Sequence, residues 1–178
     1  MYRAAILTIL SVLIGFATAA ADPAAKPSDP QIAHIAYTAD QLDIEAAKQA
    51  LQKSKNPQVI AFANQMVGDH TMVNDQALAL VKKLNVTPED NPTSQTLTTQ
   101  AEATRNKLAS LEGAAFDKAY VDNEVAYHKA VISTVEGVLI PQAQNAELKQ
   151  LLQNVLPTLK AHLEHAEMTQ KMVKGNSK

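Results

Sequence analysis

Apolar residues recur at helical spacing along most of the chain. Ile32, Ile35, Ala36, Ala39, Leu42, Ala46 and Ala50 form one stripe, and Val59, Phe62, Ala63, Met66, Val73, Ala77, Leu80, Val81 and Leu84 a second. Phe116, Tyr120, Tyr127, Val131, Val135 and Val138 form a third, and Leu148, Leu151, Leu152, Val155, Leu159, Leu163 and Ala166 a fourth. Steps of three and four residues keep each stripe on one helix face, so four long amphipathic helices are predicted. Asp29-Pro30 starts the first, with Asp29 as N-cap, and it runs to about Ser54. Asn56-Pro57 repeats the signal at once, so the first two helices are antiparallel neighbours, the second ending near Asn85. Residues 86–94 hold Pro88 and Pro92 and read as a loop. A Thr-rich, half-exposed helix follows over 95–111, closed by Gly113. The third long helix covers 114–137, Pro141 marks a turn, and Asn145 caps the fourth. Pro157 lies inside that last helix and predicts a kink about one turn before His162.

Four such helices can bury their stripes only against each other. The expected fold is all-α: a ferritin-like antiparallel four-helix bundle over 29–174, with one extra crossover helix. The helix between the second and third long ones is long enough to return the chain from one end of the bundle to the other. Simple up-down-up-down is the alternative.

Composition narrows the function. The chain has 178 residues and no cysteine, which excludes disulfides, thiolate metal sites, iron–sulfur clusters and thiol nucleophiles. Gly is only 5, against a Gly-rich phosphate loop, and the net charge of −2 gives no footprint for nucleic acid. No serine-nucleophile or His-Glu-x-x-His signature is present, so nothing points to catalysis. At the N-terminus Arg3 precedes an apolar run over 4–16, and small residues then lead to Ala21. Residues 1–21 therefore read as a secretory signal cleaved after Ala21. The run is too short to span a membrane, and no later stretch spans one. Residues 22–28 read as a flexible leader and 175–178 as a tail. The expected location is the periplasm or the exterior.

Six ionisable residues fall on apolar faces. Asp43 sits in the first stripe, His70 in the second, Asp117, Glu124 and His128 in the third and His162 in the fourth. A buried lone charge costs several kcal/mol or more, so these groups must meet partners. Counting at 1.5 Å per residue from the turns puts Asp43, His70 and His128 at nearly one height, with Glu124 a turn away. The same counting puts His162 between Asp117 and Glu124. Two readings stand. The six form hydrogen-bonded ion pairs that set helix register in a structural module, its outer flank free for an envelope partner or a second copy. Alternatively they ligate a divalent transition metal: nitrogen and oxygen ligands without sulfur suit Zn, Mn, Fe or Cu. Asp69 is placed to orient His70 from outside. Tyr120 and Tyr127 read as core aromatics with bonded hydroxyls. His165, Met168 and Met172 line one flank of the fourth helix, His34 is solvated, and Glu164 points outward.

Four motifs occur in order: Phe62-Ala63-x-x-Met66-Val67-x-Asp69-His70-Thr71; Leu111-x-Gly113-x-x-Phe116-Asp117-x-x-Tyr120; His128; and Leu156-Pro157-x-Leu159-x-x-His162-Leu163. Together they resemble the exported bacterial family of domain of unknown function 4142, over roughly 29–173. The resemblance implies a ferritin-like helical bundle in the cell envelope. Asp43-Ile44 stands where that family is expected to have Glu-Ile. The chain departs from the paired Glu-x-x-His motifs of di-iron bundles. It has Val67-x-x-His70, Glu124-x-x-x-His128 and His162-x-x-His165, so a mononuclear site or a set of polar pairs is expected.

Overall fold

A computed structural model describes residues 26–175; the expected signal over 1–21, most of the leader and the tail after Gly175 lie outside them. Helix α1 spans Asp29–Lys53, α2 Pro57–Lys83, α3 Pro92–Ala109 and α4 Gly113–Thr134. The backbone then widens into a π-helical turn, Val135–Leu139, and continues through the short α5, Ile140–Gln142; α6 is Ala146–Gly175. The described residues hold no strand, and no helix among them is long and apolar enough to cross a membrane.

Cap chemistry explains most boundaries. Ser28, not Asp29, caps α1: its hydroxyl accepts from the Gln31 amide while the Gln31 side chain accepts from the Ser28 amide. Asp29 instead accepts from the Gln144 and Asn145 amides, both at 2.8 Å, tying the start of α1 to the link before α6. Asn145 caps α6 as expected, accepting from Glu147 and Leu148. Helix α3 begins at Pro92, inside the expected loop, because Asn91 accepts from both Thr93 and Ser94. The Asn91 amide group also donates to the carbonyls of Gln31 and Glu89, so the same side chain docks α3 on α1. Asn91→Ala is expected to lower stability by about 1–2 kcal/mol in chemical denaturation, at the upper end for a cap because the docking is lost too. Gly113, at φ 54°, provides the left-handed turn between α3 and α4.

Neighbour relations form a ring. Helix α1 packs on α2, α2 on α6, α6 on α4, and α4 on α1. Directions follow from contacts at the ends. Asn91 meets Gln31, whereas Gln49 and Lys53 donate to the carbonyls of Arg105 and Ala109, so α3 runs parallel to α1 on its outside. It carries the chain back to the end where α2 began. Helix α4 then descends antiparallel to α1, from the Ser54–Asp117 contact past Tyr127, whose hydroxyl donates to the Ala39 carbonyl.

Pro141 does not turn the chain. It sits in α5, and the π turn before it is closed by Ile140 N–H donating to the carbonyl of Val135, five residues back. The wider turn accommodates a ring that would clash in a regular helix. Helix α6 likewise runs unbroken through Pro157. The core has two apolar clusters. One gathers Phe62, Met66, Phe116, Tyr120, Val121 and Ala166; the other Ile35, Ile132, Val135, Leu139, Leu152 and Leu159. Asp43, His70, Glu124, His128 and His162 lie between them.

Candidate metal centre

Asp40 and Asp43, three apart on α1, share its inner face. Helix α2 adds His70, α4 adds Glu124 and His128 four apart, and α6 adds His162. Asp43, His70, Glu124, His128 and His162 are each at most 3% exposed. The imidazole centroids of His70 and His162 lie 5.1 Å apart, those of His128 and His162 5.5 Å, and those of His70 and His128 5.9 Å.

Each histidine spends one ring nitrogen on an outer partner. His70 Nδ1–H donates to Asp40 Oδ1 at 2.6 Å. His128 Nδ1–H donates to the main-chain carbonyl of Glu124 at 3.0 Å. His162 Nε2–H donates to Asp69 Oδ2 at 2.9 Å. The other three nitrogens, His70 Nε2, His128 Nε2 and His162 Nδ1, are buried without a hydrogen bond, as are both Asp43 oxygens and Glu124 Oε2. They face one another. Asp43 Oδ2 is 2.9 Å from His70 Nε2 and 3.4 Å from His128 Nε2. A ring nitrogen from each histidine lies within 4.8 Å of the others, and Asp43, Glu124 and His128 form a second such trio. Ligand atoms on a tetrahedral ion at 2.0–2.1 Å are roughly 3.3 Å apart; the Asp43–His128 pair is already at that separation, and the three ring nitrogens would have to close from spacings within 4.8 Å. Outer acceptors that fix the tautomer and rotation of each imidazole are the usual support of such a shell.

Electrostatics divides the roles. Burial alone would depress the His70 pKa, but the Asp40 hydrogen bond and the Asp43 carboxylate overcome it and raise it to about 10. Burial lowers the pKa of His128 against the opposing pull of Asp43, and that of His162 against Asp69. Both rings are neutral at pH 7, with lone pairs to offer. Burial and the charge of Asp43 hold Glu124 well above the usual carboxylate range. Asp43 stays low because His70 and His128 outweigh its burial. The pair is thus driven apart, Asp43 toward the charged form and Glu124 toward the protonated one.

Five of the six expected residues meet here; Asp117 does not. It is two turns before Glu124, about 10 Å along α4. There it accepts from Ser54 Oγ at 2.6 Å, and Ser54 in turn accepts from the Asn56 amide, pinning the α1–α2 turn to α4. His162 is level with His70 and His128, not between Asp117 and Glu124. Helix α4 continues through the π turn to Gln142, so more residues separate His128 from the end of the bundle than a break at Gly137 allows. Asp69 orients His162 rather than His70. Asp40 was missed, although Asp40-x-x-Asp43 is a helix-face spacing. Tyr127 has its bonded hydroxyl, whereas Tyr120 has none. His34 is half-buried, bonded to Thr38. His165 bonds Gln65 and meets the Phe62 ring edge-on, with Met168 and Met172 exposed beside it.

Two solved structures share the fold. One is CopM in its Cu(II)-bound form: 15% identity, TM-score 0.62, covering 82% of this chain and 98% of that one. The other is a DUF305 protein from Streptomyces coelicolor: 12% identity, TM-score 0.65, covering 78% and 88%. No curated protein sequence matches the chain. A family model does match, over residues 15–169, and the chain belongs to that family, described as domain of unknown function 4142.

Proposed function

We propose that this is an exported protein that binds one divalent transition metal ion in the core of a ferritin-like bundle, with α3 as the crossover helix, and serves metal handling in the cell envelope. His70, His128 and His162 would hold the ion through their unbonded nitrogens, and Asp43 through its carboxylate. Asp40, the Glu124 carbonyl and Asp69 orient the rings. The observation that carries this reading is that three ring nitrogens and a carboxylate, all buried, face one another. His70 Nε2 and Asp43 already form an ion pair at 2.9 Å, but leaving His128 Nε2, His162 Nδ1 and Glu124 Oε2 unsatisfied costs about 1–3 kcal/mol each unless something fills the space between them. Three imidazoles and a carboxylate suit copper(II) or zinc, and copper(II) binds such sets most tightly of the first-row divalent ions. The Cu(II)-bound CopM structure, as a fold relative, supports copper. A bound ion would supply charge that offsets the buried acid. The described residues at the site are imidazoles and carboxylates, groups suited to holding an ion, so binding is the proposed role.

The test is elemental mass spectrometry on untagged protein, beside titration with Zn, Mn, Fe and Cu. About one equivalent of a single metal is expected, and His162→Ala should lose most of it. A protein that takes up none of the four overturns the reading. The metal-free alternative is favoured by one observation: His70 between Asp40 and Asp43 already forms an ion-paired group that can set register.

A further inference from the structure

Below the polar belt the bundle contains a cavity of about 310 Å³. Native cores hold few voids larger than a water molecule. An apolar cavity of roughly half this volume stays dry and takes up benzene. The inner walls are Ile35, Leu139, Leu152 and Leu159. The lower apolar cluster of the core draws its buried members from α1, α4, the π turn, the α5–α6 link and α6, and none from α2. Val73, Ala77 and Leu80 of α2 line the cavity yet are only half-buried, as are Leu151 and Val155 of α6 opposite them. Leu80 alone reaches that cluster from α2, so the cavity lies where α2 otherwise gives the lower core no buried apolar side chain.

The chemistry of the wall selects the occupant. The upper end of the cavity is formed by Asp40, Asp43, His70, Glu124 and His162. The cationic groups on the wall are already paired, Arg105 with Glu45 and His70 with Asp40 and Asp43. An anionic head group would meet buried acids with no free cation to receive it, whereas an uncharged one could share hydrogen bonds with Glu124 or Asp43. We propose that this cavity is a binding site for an uncharged lipophilic molecule, its apolar body among α1, α2, α4 and α6 and one polar group turned toward Asp43, Glu124 and His162. This goes beyond the metal reading: the apolar walls that would hold the body of the molecule lie below the candidate ligands, and only its polar group would meet Asp43 and His162, which the two readings share.

The probe is the neutral dye N-phenyl-1-naphthylamine, followed by fluorescence on wild-type protein. Saturable enhancement with one site per chain is expected, reversed by dodecanol and at least about tenfold less readily by dodecanoate. Ala77→Phe and Ala36→Phe, each two turns from the nearest candidate ligand, fill the cavity from opposite sides. Both should weaken the dye at least about tenfold while metal uptake stays at the wild-type level. His128→Gln, outside the cavity wall, should lose the metal and keep the dye, so the two readings fail separately. Absence of saturable enhancement, displacement by dodecanoate as readily as by dodecanol, or unchanged dye binding in folded Phe variants would each overturn the proposal. The displacement arm uses wild-type protein alone and so decides even if neither Phe variant folds.

Discussion

Asp43→Ala is expected to destabilise the metal-free protein by about 3–5 kcal/mol, the usual loss when one partner of a buried charge pair is removed. The Asp43 side chain is fully inaccessible and lies 2.9 Å from His70 Nε2. It is also the charge that opposes the burial of His128. Its loss leaves His70 a cation facing a void, with only Asp40 beside it. Domains of this size are stable by about 5–15 kcal/mol, so the loss is a large fraction of the total. Urea denaturation followed by circular dichroism measures it. A double-mutant cycle with His70→Ala should return a coupling of about 1–3 kcal/mol, since the partners are removed together. Asp117→Ala should cost less, about 1–3 kcal/mol, because a single hydroxyl bond from Ser54 is lost there. Equal stability of Asp43→Ala and the parent would mean that no charge on His70 needs that carboxylate.

The face on which each residue lies was legible in the sequence; its height along the bundle was legible only in part. Asp43 and His70 are counted from the short α1–α2 turn, and both estimates hold because Asn56-Pro57 marks that turn sharply. His128 is level with them because α3 carries the chain back to the same end. His162 was misplaced because a π turn is decided by backbone hydrogen bonding, which side-chain periodicity does not record. Pro141 therefore read as an end instead of a passenger. Asp40 was missed for a related reason. A helical wheel treats the stripe edge as solvent, but α2 comes close enough for His70 to reach across it at 2.6 Å. Asp69 has the same character on α2, turned toward α6 rather than toward its own neighbour His70. Asn91-Pro92 carried the same start signal as Asn56-Pro57, yet the prolines around it masked it. The unsatisfied nitrogens, on which the metal reading rests, have no sequence signature at all. They are a property of three tutored ring orientations set by partners on two other helices and one carbonyl.

A second large effect follows from the same groups, in stability against pH. His70 binds its proton more tightly in the folded protein, at about 10 against an ordinary 6.5. Its contribution is complete below pH 6.5 and is lost as pH rises through about 10. Between pH 6.5 and 9 the metal-free protein should lose on the order of 3 kcal/mol, at roughly 1.4 kcal/mol per unit. The groups facing His70 are Asp40 and Asp43 from α1, Glu124 and His128 from α4 and His162 from α6. Asp40 and Glu124, both raised, act in the same direction, their contributions falling as pH climbs from the ordinary carboxylate range through their raised values. His128 and His162 are lowered, so their contributions are present above 6.5 and lost on acidification. Asp43, also lowered, adds to the acid limb only as pH falls below its ordinary value of 3.8. The alkaline limb is therefore shared by His70 with Glu124 and Asp40, and His70→Gln should lessen its slope. A bound metal should abolish this slope. The ion would take the place of the proton on His70 Nε2 and its binding would release that proton, so the gain in metal affinity with pH would cancel the loss seen in the metal-free protein over the same window. Thermal unfolding at pH 6.5 and pH 9, with and without one equivalent of copper(II), reads both slopes. Equal stability of the metal-free protein at the two pH values would show that Asp40 and Asp43 do not hold His70 as a cation. Parallel slopes with and without copper would place the ion somewhere other than these nitrogens.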